Sequence, residues 1–104
     1  MEWFMPKLQK VTIARNQIGP LLDQLILELD AEGSSTQKAF FKRVRGHLDL
    51  AYDDEDLTTS ILELSSSLAL GFQFSQTANV LIERIHEKVE ELVQAMEGVE
   101  PRYH

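Results

Sequence analysis

The apolar positions Val11, Ile18, Leu22, Leu25 and Leu29 recur at spacings of 7, 4, 3 and 4. At about 100° per residue these five side chains share one face of a single helix, and the phase runs straight through Gly19-Pro20. A loop at that pair would have no reason to keep the phase. The pattern therefore predicts one long first helix from about Lys7 to Ala31, closed by Gly33. It is expected to kink where Pro20 removes a backbone donor and crowds the carbonyl of Asn16.

Ser34-Ser35-Thr36-Gln37 then reads as a capping box that starts a second helix, with Phe40, Val44, His47, Leu48 and Ala51 on its buried face. Lys38, Lys42 and Arg45 point the other way. The run Asp53-Asp54-Glu55-Asp56 after Tyr52 is the acidic first turn that a helix macrodipole favours, with Asp53 or Asp54 as the cap. A third helix runs from there to about Leu70, its stripe Leu57, Ile61, Leu64 and Leu68, and Gly71 ends it. Alternation of Leu68, Leu70, Phe72 and Phe74 offers a strand instead, but one strand without a partner is unstable. The fourth helix spans about Ser75 to Gly98 on a stripe of Ala78, Ile82, Ile85, Val89, Leu92 and Met96, with Pro101 beyond. Short connections between amphipathic helices predict an all-α fold, an antiparallel four-helix bundle with a kinked first helix. Residues 1–104 are read as a single helical domain, with loose ends at Met1–Pro6 and Val99–His104.

Composition narrows the function classes. Seventeen acidic against ten basic residues give a net charge of −7, which opposes the counterion release that drives binding to nucleic acid. Nucleic acid and anionic membranes are poor partners for such a chain. Without cysteine there are no disulfides and no Cys-ligated zinc or iron–sulfur sites, and the redox compartment stays open. The segment MEWFMPKLQK lacks the charged-then-apolar order of a signal peptide, and the apolar stretch Ile61–Phe74 is interrupted by Glu63, three serines and Gln73. A soluble protein, cytoplasmic by default, is expected.

The candidate chemistry is sparse. Glu83 and His86 form a Glu-x-x-His pair, the spacing that places a carboxylate beside an imidazole in helical metal sites. A site of that kind needs a second pair, and Val44 stands three before His47; a dimer would have to supply the copy by symmetry. Glu83 also lies about 140° from the centre of its stripe, toward water. A solvated helix flank is the expected reading, with no cofactor. His47, followed by Leu48-Asp49-Leu50-Ala51 rather than by a phosphotransfer pattern, reads as a partly buried core histidine. The Asp53–Asp56 run lacks the alternating spacing and glycine turn of a calcium loop. The basic cluster Lys38, Lys42, Arg43 and Arg45 is expected to neutralise the acidic faces of the first and fourth helices. Ser60, Ser65, Ser66 and Ser67 sit in no nucleophile-elbow context and read as small residues permitting close helix approach.

What a monomeric bundle leaves over is apolar surface. Leu27 lies about 140° off the first stripe, and Leu62 and Ala69 lie about 120–140° off the third. Trp3, Phe4 and Met5 cluster at the N-terminus, Phe72 and Phe74 in the third connection. A second apolar face on two helices points to a contact patch containing Leu27, Leu62, Ser66, Ala69, Phe72 and Phe74. The expected function is a non-catalytic interaction protein, a regulator, adaptor or subunit presenting an apolar, acid-rimmed helical surface to a second copy or another protein. A metal- or small-ligand-binding bundle at Glu83 and His86 is the alternative, and phosphotransfer or hydrolysis ranks third.

Overall fold

The computed structural model of the chain describes residues 6–97, with side chains described for 10–67 and 70–96. Trp3, Phe4 and Met5 lie outside those residues, as does the side chain of Ala69. Among the described residues all regular structure is helical: α1 (Pro6–Gln17), α2 (Gly19–Ala31), α3 (Ser35–Leu50), α4 (Asp54–Ser66), a short 3₁₀ turn (Ser67–Leu70) and α5 (Gln76–Glu97). No described helix is long and apolar enough to cross a membrane.

The first helical rod keeps its phase as the stripe requires. Only Ile18 separates α1 from α2, its backbone stays right-handed helical (φ −95°, ψ −37°), and the bonds Ile18 N–H to Ala14 O and Leu22 N–H to Ile18 O run through the junction. The rod bends by 34°. Val11, Ala14, Ile18, Leu22, Leu25 and Leu29 are all buried along it.

Cross-links fix how α3 returns along this rod. Lys38 pairs with Asp30 at 2.7 Å and Arg45 with Asp23 at 2.9 Å, while Arg15 reaches the carbonyls of Leu48 (3.2 Å), Asp49 (2.8 Å) and Ala51 at the far end of α3. Rising numbers on one helix meet falling numbers on the other. The same order recurs between α3 and the following segment, where His47 meets Glu63 and Gln37 meets Gln73. Helices α2 and α4 do not touch among the described residues; each packs on α3 and α5. They occupy opposite corners of the core.

Three local departures from the predicted pattern have identifiable causes. Ser34 is the N-cap of α3 but its side chain makes no capping bond, and Gln37 donates instead to the Gln73 carbonyl at 3.0 Å. A related pair of bonds forms at α4: Asp53 Oδ1 caps the Asp56 N–H at 3.0 Å, and Asp56 Oδ2 reaches back to the N–H of Tyr52, the residue before the cap, at 2.9 Å. The buried row of α3 is Phe41, Val44, Leu48 and Ala51; Phe40 is half-buried, and His47 stands on the flank with a 44% exposed side chain. Helix α4 stops at Ser66, four residues before the expected end. There Ser66 and Ser67 hydroxyls bond back to the carbonyls of Glu63 and Leu64, the chain tightens to 3₁₀, and Gly71 closes it with φ +74°.

Gly19 is buried because Arg45 fills the space beside it. A Cβ there would lie 3.1 Å from the guanidinium carbon, and Arg45 is held by Asp23 and Asp49. Gly19→Ala gains about 0.5–1 kcal/mol of helix propensity but must displace a pinned guanidinium. The expected outcome is a near-neutral change in the wild type and stabilisation by about that amount in an Arg45→Ala background, read by urea denaturation. Arg15→Ala removes three bonds to carbonyls at the end of α3, of which only that of Leu48 also has a backbone donor, the Ala51 N–H. The expected loss is about 1–2 kcal/mol. Arg15→Lys, lacking the forked geometry, is expected to recover only part of it.

Candidate functional site

The charged side chains are largely committed to holding helices together. Arg45 bridges Asp23 and Asp49, and its bond to Asp23 raises its pKa above the ordinary arginine value. Lys38 holds the Asp30 carboxyl below the usual aspartate range through a direct hydrogen bond. Cations of α3 thus neutralise the acidic face of α2, as expected, whereas Arg43 turns to Glu63 of α4 at 4.0 Å. Among the described residues none of the α3 cations pairs with α5. At the end of α2, Glu28 and Glu32 share a hydrogen bond that pushes Glu28 up and Glu32 down, the latter aided by the Ser75 hydroxyl.

His47 corrects the expectation of a core histidine. Its Nδ1 lies 2.8 Å from Glu63 Oε1, so the imidazole links α3 to α4 at the surface.

Phe72 and Phe74 are half-buried in a cluster within the chain. Phe72 meets Phe40 at 5.7 Å and Phe74 at 5.9 Å, Phe74 meets Phe41 at 6.1 Å, and Phe40 meets Phe41 edge-on at 5.0 Å. Arg43 lies over the Phe40 ring, 5.4 Å from its centroid. These rings anchor the connection into α5. Phe40 and Phe72 border an open recess of about 510 Å³ with Ser35, Thr36, Ala39 and Arg43.

Leu62 and Leu27 stand out in water, 63% and 69% exposed. Beside Leu62, Ser66 is exposed while its hydroxyl donates to the Glu63 carbonyl one turn back at 2.9 Å. The serine therefore offers a small surface whose polar group is already satisfied. Leu27 sits on α2 with Asp23 and Asp30 near it in the helix, both engaged by α3. Because α2 and α4 are at opposite corners, the two leucines belong to separate surfaces rather than one patch. Of the four serines, Ser60 and Ser67 are buried in the helix packing, and Ser65 and Ser66 face out.

Glu83 is exposed and His86 half-buried on α5, where they line an open recess of about 510 Å³ together with Asn79, Ile82, Glu87 and Glu90. Among the described residues no three His, Cys, Asp or Glu side chains converge in a way that could hold a metal ion.

One surface feature was missed from the sequence. Leu50, at 80%, is the most exposed large apolar side chain among the described residues, and Tyr52 two residues on is 65% exposed. Leu50 falls off the α3 stripe and Tyr52 precedes the acidic run, a signal legible once the α3 face is set by Phe41 rather than Phe40.

No protein-family model, curated protein or solved structure matches this chain.

Zinc or iron(II) added to the purified protein is expected to leave the melting temperature unchanged. A rise that disappears in Glu83→Gln would assign a metal site to α5.

Proposed function

We propose that the chain is a non-catalytic protein–protein interaction module, an antiparallel four-helix bundle with a kinked first helix that presents apolar, acid-rimmed helical surfaces. The observation that carries the reading is Leu62, 63% exposed near the middle of α4 beside Ser66, whose hydroxyl is already bonded within the helix. A large aliphatic side chain next to a small, internally satisfied one gives a partner helix both an anchor and room for close approach. A second copy of this chain is the partner proposed for that face. In a two-fold contact the same patch meets itself, so each substitution acts twice. The position of Leu27 at the opposite corner supports the α4 face alone as the two-fold contact, leaving the α2 face outside it.

Leu62→Glu is expected to give a folded monomer, with helical circular dichroism retained and the light-scattering mass halved, because burial of two unpaired charges costs several kcal/mol. Leu27→Glu is expected to leave the dimer intact. A wild type already monomeric at about 100 μM, a concentration that corresponds to roughly 5–6 kcal/mol of association, overturns the self-contact. Loss of association on both substitutions would instead indicate a head-to-tail contact using both faces.

A further inference from the structure

The turn from α3 to α4 places Leu50 and Tyr52 in water, 80% and 65% exposed, and Leu50 lines a recess of about 220 Å³ with His47, Ala51, Asp56 and Thr59. The recess has room for one large side chain. Around it the charges are unevenly used. Asp54 is drawn toward Lys10 at 3.7 Å, and Glu63 is taken by His47 and Arg43. Asp53, Glu55 and Asp56 form no ion pair among the described residues.

Asp53 and Asp56 each use one carboxylate oxygen to lock the turn, on the N–H groups of Asp56 and Tyr52, so each keeps an oxygen for an incoming donor. Arg15 holds the carbonyls of Leu48, Asp49 and Ala51, fixing the same turn from the α1 side. The macrodipole of α4 accounts for acids in its first turn. It does not account for a leucine and a tyrosine held in water beside them on a rigid turn.

We propose that this turn is a docking site for a cationic segment of a partner protein, with an apolar anchor entering the recess and Lys or Arg side chains meeting Asp53, Glu55 and Asp56. An apolar centre with a charged rim is the arrangement that concentrates binding energy in one or two anchors while charge selects the partner. The turn is preformed, so ordering it costs the complex little. The inference rests on the reading of the chain as an interaction module and assigns a partner class to a surface distinct from the Leu62 face.

The test is fluorescence anisotropy of the full chain with a short labelled amphipathic Lys/Leu peptide, at low salt and at about 0.15 M, where exposed charges are largely screened beyond 8 Å. Saturable binding is expected that is weakened at least tenfold by Leu50→Ser/Tyr52→Ser, weakened by Glu55→Lys, and unchanged by Leu27→Ser, a leucine that also has acids near it. A counterpart peptide with Ser for every Leu is expected to bind at least tenfold more weakly. Absence of saturable binding, equal binding of the Ser peptide, or equal loss in Leu27→Ser overturns the site. Circular dichroism checks each variant; should the double substitution unfold the chain, Tyr52→Ser alone must show the loss. Light scattering keeps the two proposals apart: a dimeric wild type that ignores the peptide overturns the docking site alone, and a monomeric wild type that binds it overturns the self-contact alone.

Discussion

Two guanidinium groups tie the first helical rod to α3, and the arrangement of the other helices follows from them. Arg15 takes three carbonyls at the end of α3, where helix geometry leaves acceptors short of donors and only Leu48 is also reached by a backbone N–H, that of Ala51. Arg45 lies against the missing side chain of Gly19 and joins Asp23 to Asp49. One clamp sits on α1 before Ile18 and the other on α2 after it. With the rod held on both sides of Ile18, α1 reaches α4 and α5 while α2 stays with α3 and α5. The 34° bend of the rod thus lets one amphipathic stripe serve two sets of neighbours. The glycine contributes space for an ion pair, and the proline removes a donor at a point where the rod must turn.

The connections show how polar groups choose between helix and turn. Ser34 caps α3 by position without capping it by side chain; its N–H, which a capping box would offer to Gln37, already bonds the Leu29 carbonyl at 2.9 Å, and Gln37 donates across the helix ends to the Gln73 carbonyl. That long-range bond works with the four phenylalanines to seat the chain before α5. At the other end of α3, Asp53 caps the Asp56 N–H and Asp56 reaches back to the Tyr52 N–H, both locally. One end of the bundle is therefore held by aromatic packing and the other by carboxylates and arginine.

Much of the helical architecture was legible in the sequence because burial follows period. The stripe through Gly19-Pro20 placed all its residues correctly, and so did Ala78, Ile82, Ile85, Val89 and Leu92 of α5. In α3 the pattern was ambiguous by one position: Phe40 and Phe41 are adjacent, and hydrophobicity alone does not say which ring enters the core. Choosing Phe40 rotated the inferred face toward His47, whose exposed bond to Glu63 depends on a residue sixteen positions away. The same rotation hid Leu50 as a surface residue. The early end of α4 also escaped, since consecutive serines announce neither helix nor turn until their hydroxyls select local carbonyls. Phe72 and Phe74 read as free aromatic surface only while the rings opposite them were unplaced.

The surface leucines now take on a different meaning. Leu27, Leu62 and Leu50 stand on α2, α4 and the end of α3, and two of these helices lie at opposite corners of the bundle. A single broad apolar face would bury itself in one permanent partner or aggregate. Separate anchors, each near carboxylates, favour smaller contacts in which burial of one or two side chains supplies the affinity and charge supplies the selection. The acidity of the surface then has a second consequence: at −7 the chains repel one another at distance, and only a contact that buries an apolar anchor overcomes that repulsion.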